Sequence, residues 1–229
     1  MVYIGWVFAV LCSVVFPVLL SIFLAKRAEN VKGVLLGAAC FTLTQILLRL
    51  PMLSVMSLWA DYVVFQSVYP ILNLAFLSFS AGLVEEIGRF VFMKFFMKSS
   101  KTADAIAFGA GHGSVEAVLL VGLSQFALVL LAGGSLAGYS ASEFFLSGAE
   151  RVFAICTHIG LSLIIWSGIK RRMSGLFVPL CVVLHGVFNF TASYLQFLGV
   201  NMYIVEGVIA FAGVSLLISG LVLCRDKKS

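Results

Sequence analysis

Apolar residues dominate this chain in long runs, and the polar residues that interrupt them are short and regularly placed. A run of about 17–25 apolar residues is enough to cross a bilayer as a helix. On that basis the pattern predicts seven spans: about Val2–Ala25, Gly33–Leu50, Pro70–Met97, Ala103–Ala132, Gly148–Ile169, Ser174–Leu198 and Met202–Cys224. Between the second and third spans, Pro51 to Tyr69 is apolar but broken by Pro51, Asp61 and Pro70. It reads either as an outer interfacial segment or as an extension of the second span. Gly133–Ser147 reads as a Gly- and Ser-rich outer loop. The fold class expected is therefore all-α, a polytopic membrane helix bundle forming a single integral membrane domain over 1–229, with no internal repeat.

The basic residues set the orientation. Twelve of the fifteen Lys and Arg fall in four places: Lys26/Arg27/Lys32, Lys94/Lys98/Lys101, Lys170/Arg171/Arg172 and Arg225/Lys227/Lys228. These are alternate span ends. Seven spans with the N-terminus outside and the C-terminus cytoplasmic put all four clusters on the cytoplasmic side, as the positive-inside rule requires.

Composition agrees with a bilayer and excludes much else. Of the 229 residues, 62% are hydrophobic and 11% charged, against about 25% charged in soluble domains. The net charge of +5 resides in the span-end clusters, so it argues for membrane topology and not for a nucleic-acid partner. Cys12, Cys40, Cys156, Cys181 and Cys224 lie in or beside apolar runs without a CxxC pair and read as small apolar fillers. The N-terminus has no basic region before its apolar run, which reads as a first span and not as a cleavable signal. The expected location is a bacterial cell membrane.

A short list of polar residues remains inside the spans: Glu85, Glu86 and Arg89 on the third; His112 and Glu116 on the fourth; His158 on the fifth; His185 and Asn189 on the sixth. All three… histidines of the chain are on it. A charged group at mid-span costs about 2.5–3.5 kcal/mol on insertion scales, so such residues turn inward and mark function. Counted from the nearest basic cluster at a helical rise, Glu86, His112, His158 and His185 all lie about 16–20 Å deep. His112 and Glu116 are spaced i,i+4, as are His185 and Asn189 and also Glu85 and Arg89, while Glu86 and Arg89 are spaced i,i+3; such pairs share a helix face. Adjacent glutamates diverge by about 100°, so one can face a reaction centre while the other pairs with Arg89. The bland alternatives are an ion-pair network at Glu85/Glu86/Arg89, an interhelical hydrogen bond at His112/Glu116 and a satisfied buried imidazole at His158. Glu150 and Arg151 read mainly as interfacial, with a pair that locks helices together as the alternative, and Arg49 reads as a snorkelling side chain.

Three segments carry a resemblance: Glu85-Glu86-Ile-Gly-Arg89, Phe108-Gly-Ala-Gly-His112-Gly-Ser-Val-Glu116 and His185-Gly-Val-Phe-Asn189. Together they resemble the YhfC-type family of intramembrane metallopeptidases. More distantly they are similar to the CAAX-prenyl-protease and bacteriocin-processing (CPBP) group and to PrsW-type proteases. The resemblance covers roughly residues 70–200. One departure is that Arg89 follows the glutamates after two residues, whereas the prenyl-protease pattern has three, which weakens any inference of a prenylated substrate.

The resemblance implies an intramembrane protease acting on a membrane-embedded or membrane-associated peptide. Glu85 or Glu86 would activate water, His112 and His185 would bind a metal or polarise the carbonyl, and Asn189 would donate to the oxyanion. Arg89 would orient the second glutamate, with Glu116 and His158 in support. One version places Zn²⁺ on His112, His185 and Glu86; the other uses no metal, and HExxH is absent. His158, outside the three motifs, is expected to matter less. The same residues also suit a transporter or proton relay, and a non-catalytic membrane receptor remains a third class.

Overall fold

The computed structural model describes residues 1–29, 31–97 and 101–225. Among these, seven helices are long and apolar enough to cross a membrane: Val2–Arg27, Val31–Met56, Pro70–Phe96, Thr102–Leu131, Ala141–Lys170, Ser174–Phe197 and Met202–Leu223. The protein is an all-helical, multi-pass membrane protein. The basic residues Lys98, Lys227 and Lys228, used above for orientation, lie outside the described residues.

The structure decides one alternative left open above and shifts one boundary, each for a local reason. The second span continues through Pro51 to Met56. Residues Thr42–Arg49 just before the proline form wider, π-helical turns, a local adjustment by which membrane helices accommodate a missing N–H. The fifth span begins at Ala141, seven residues before Gly148. Ser140 and Glu143 form a reciprocal cap there: the Glu143 N–H donates to Ser140 Oγ at 3.2 Å, and the Ser140 N–H donates to Glu143 Oε2 at 2.9 Å. A Ser-x-x-Glu pair of this kind satisfies two otherwise orphaned donors and fixes a helix start. Between the second and third spans a short helix, Ala60–Val68, has no buried residue. It is tied down by Tyr62, whose hydroxyl donates to Asn73 Oδ1 at 3.0 Å. Its aromatic flanks, Trp59 and Tyr69, are exposed, as suits the aromatic belt of a membrane interface.

The fifth span is the most buried and forms the axis of the bundle. The first, fourth and seventh spans pack directly on it, the second packs on the fourth, and the sixth packs on the third. Helices in lipid gain nothing from hiding apolar surface from each other, so association depends on close packing and polar contacts. The second and fourth spans show how close this packing is. A Cβ at Gly37 would overlap the Phe108 carbonyl, and one at Gly111 would overlap the Val34 carbonyl. Only glycine at both positions lets these backbones meet. That approach places His112, one residue beyond Gly111, at the centre of the bundle with no exposed surface.

Candidate active site

Four spans deliver their polar residues to one buried cluster. Glu85 and Glu86 are 3% and 0% exposed, and Arg89, His112, His158 and His185 are all buried. The two glutamates take different roles, as their divergence on the helix predicts. Glu86 is held by Arg89 through both oxygens: Nε donates to Oε2 at 2.9 Å and Nη2 donates to Oε1 at 3.1 Å. This is the i,i+3 pair and not the i,i+4 one. The guanidinium also donates from Nη1 to the His158 carbonyl at 3.1 Å and to Ser162 Oγ at 2.6 Å. Arg89 therefore clamps the third span to the fifth. Glu85 has no arginine on it. Its Oε1 accepts from Gln45 Nε2, and its Oε2 lies 2.9 Å from His112 Nε2.

Hydrogen-bond logic separates the three histidines. Arg89 Nη2 lies 3.0 Å from His158 Nδ1. A guanidinium only donates, so Nδ1 must accept and Nε2 must carry the ring proton. Nε2 gives that proton to Glu116 Oε2 at 2.6 Å. His158 thus has both nitrogens committed and offers no lone pair to a metal while Arg89 stays in place. His185 is the opposite case. Its Nδ1 lies 2.8 Å from Glu86 Oε1, the oxygen that also accepts from Arg89 Nη2, so in the neutral ring Nδ1 donates and Nε2 holds the lone pair. A carboxylate behind a histidine in this way is the usual support of a metal-ligating imidazole. His112 Nδ1 is buried without a hydrogen-bond partner, so Glu85 alone influences its tautomer. The rings sit together, with centroids 4.7 Å apart for His112 and His158 and 5.7 Å for His158 and His185.

A cavity of about 330 Å³ opens beside the cluster. Glu85, His158 and His185 line it, with Asn189, Glu116, Gln45 and Arg49 on the surrounding walls. Glu86 and His112 stand behind this lining. Of the residues expected at the site, Glu85, Glu116, His158, His185 and Asn189 meet the cavity directly, while Glu86, Arg89 and His112 stand behind that lining. His158, expected to matter less than the motif residues, sits in the middle.

Two further arginines also belong here. Arg49 is buried, not snorkelling: it donates to Gln45 Oε1 at 3.2 Å, to Ser80 Oγ at 3.2 Å and to the Leu77 carbonyl at 2.5 Å. Arg151 is buried as well, bridging Glu116 Oε1 at 3.1 Å and Glu150 Oε1 at 2.5 Å. Gln45 was not singled out from the sequence. Its i,i+4 spacing from Arg49 in an apolar span is the signal that points to it.

Among the described residues, donor atoms within 4.8 Å of one another fall into two groups, Glu85/His112/His158 and Glu85/Glu86/His185, and in the first of them His158 has no lone pair to give while Arg89 holds its Nδ1. Glu85 is common to both. The set expected from the sequence, His112, His185 and Glu86, is split between the groups.

Comparison with known proteins agrees with the three motifs. A model of the YhfC intramembrane metalloprotease family matches residues 12–210. The chain belongs to that family. It is 38% identical over 141 residues to the uncharacterized membrane protein YhfC of Bacillus subtilis (strain 168), an alignment covering 51% of this chain and 54% of the relative. The chain thus spans about half the length of that relative. No solved structure matches.

Proposed function

We propose that this family member is an intramembrane peptidase whose water-activating base is Glu85. The observation that carries this is the asymmetry of the adjacent glutamates. Glu86 is locked in a forked pair with Arg89, whereas Glu85 lines the cavity and meets only a neutral amide and an imidazole. A carboxylate offers about four lone-pair sites. Gln45 and His112 engage one each, so Glu85 keeps acceptor capacity towards the cavity.

Glu85 takes a proton from a water in the cavity and later returns it to the leaving amine. General acid–base assistance of this kind contributes about 10²–10⁴-fold. Gln45 and His112 fix the carboxylate plane, and Arg49 in turn holds Gln45 by its oxygen. Asn189, on the cavity wall, supplies an amide N–H to the carbonyl oxygen as charge develops there, the role of an oxyanion donor. Arg89 and Glu86 act through His185, holding its Nδ1–H so that Nε2 keeps a lone pair.

The residues present fit a zinc ion by donor chemistry. Imidazole is a common zinc ligand. The Nε2 of His185 and the unpartnered Nδ1 of His112 are the imidazole nitrogens that would hold it, and Glu85, common to both donor groups, would stand beside the ion as the base. A bound zinc supplies Lewis-acid polarisation and a more acidic water. Glu86 then belongs behind His185 and not on the ion.

Metal analysis together with cleavage tests this reading. Protein purified without chelator should carry about one zinc, and His185→Ala should lose it. A panel of synthetic membrane peptides in liposomes should yield at least one cleaved product with the wild type. A wild type that cleaves none while driving proton or solute flux through Glu85 would overturn the hydrolase reading in favour of a transport site.

A further inference from the structure

We propose that the cleft between the sixth and seventh spans is the lateral docking groove for an apolar transmembrane segment of the peptide substrate. This rests on the hydrolase reading above and adds where the substrate lies.

The sixth and seventh spans are neighbours in sequence, joined by a short turn at 198–201, yet each is committed to a different partner. The small residues of the sixth span meet the third: a Cβ at Gly82 would lie 2.8 Å from the Val182 carbonyl and 3.1 Å from the Gly186 nitrogen. Those of the seventh meet the fifth, where a Cβ at Gly220 would lie 2.7 Å from the Gly160 carbonyl. Close contacts therefore pull the two helices outward to either side. What remains between them is an apolar cleft of about 330 Å³, lined by Leu184, Val187, Thr191, Ala212, Ser215 and Ser219 among others. Val187 and Val208 on its rim are exposed, at 47% and 38%, so the cleft opens on the lipid-facing side.

The cleft lies against the candidate active site, on the other side of a shared wall. Phe188, Ala192 and Ile209 line both the apolar cleft and the polar cavity that holds Glu85, His185 and Asn189. Phe188 also directly precedes Asn189. An occupant that reaches past that wall must be apolar along one flank and present a polar group at its inner end. A peptide segment does both, since its backbone carbonyl is the group to which the Asn189 amide would donate. A lipid acyl chain fills the cleft but brings nothing for the polar cavity. On the seventh span Ala212, Ser215 and Ser219 recur every three or four residues, so they share one face. Small side chains on one face let a second helix lie close in a membrane.

The test uses the full chain in phosphatidylethanolamine/phosphatidylglycerol nanodiscs and a fluorescent synthetic Leu/Ala transmembrane peptide with a central Gly-Ser break. A photo-crosslinking amino acid is placed at Ala212 in the cleft or at Phe211, which is 77% exposed on the adjoining face. Crosslinking to the peptide should be several-fold stronger from 212 than from 211. Unlabelled peptide should compete it away, and Ser215→Trp should abolish it. Equal labelling at both positions, or lipid adducts alone at 212, would overturn the groove. Crosslinking that survives while the wild type cleaves no peptide would leave the groove standing and remove the hydrolase reading, so the two failures are distinguishable.

Discussion

Arg89→Ala should damage the protein more than any other single change at the site. Arg89 is fully buried and donates five hydrogen bonds: two to Glu86 and one each to Ser162 Oγ, the His158 carbonyl and His158 Nδ1. Breaking a buried ion pair from one side costs about 3–5 kcal/mol, because the remaining charge is stranded. Here the stranded group is Glu86, left with His185 alone, and the third and fifth spans lose their polar clamp. Against a typical total of about 5–15 kcal/mol, that is a large fraction of stability. Arg89→Lys keeps the charge, but one ammonium cannot reach Glu86, Ser162 and His158 together, so it should cost about 1–3 kcal/mol. The double change Glu86→Gln with Arg89→Met removes both charges and should recover most of the lost stability, since neutral replacement of a buried pair is often harmless. It should not recover turnover, because His185 then lacks its anionic partner. Equilibrium unfolding in mixed micelles reads the stabilities. If Arg89→Ala unfolds with the wild type, or the double variant is as unstable as the single one, the clamp is misassigned.

His158→Ala should lower both stability and activity, since it removes the link between Arg89 and Glu116; unfolding and cleavage measured together check this, and full activity would place His158 outside the machinery. Gly111→Ala should cost at least about 1–3 kcal/mol as an overpacking change, because the added methyl meets the Val34 carbonyl; a wild-type midpoint would contradict the close approach of the second and fourth spans. Single cysteines introduced at Lys32 and Lys170 should react only with reagents that reach the cytoplasm, and one at Ser135 only with reagents outside. The opposite pattern would reverse the orientation read from the basic clusters.

The spans were legible because membrane insertion leaves a direct trace: length and hydropathy of each run depend on the bilayer and not on the partner helix. Glu85, Glu86, His112 and His185 were legible for the same reason, as costly groups in an apolar run. Arg49 and Arg151 were not. Both stand near the ends of the expected spans, where a snorkelling arginine is inexpensive, so sequence offers little penalty to flag them. Only the tertiary placement of Gln45, Glu116 and Glu150 shows that they are buried partners of the site. His158 was undervalued because it belongs to no motif; its role comes from Arg89, sixty-nine residues away. The distinction between Glu85 and Glu86 was half visible. Their divergence follows from the helix, but which one faces the cavity depends on where Arg89 turns.

The rate of peptide cleavage by Glu85→Gln tests the central claim most directly. The substitution keeps volume and the Gln45 and His112 neighbours while removing basicity. Measured in liposomes on a peptide that the wild type cleaves, with unfolding followed on the same preparation, the variant should lose about 10²–10⁴-fold in rate with its stability unchanged. Cleavage by Glu85→Gln at the wild-type rate would show that Glu85 is not the base and would contradict the account.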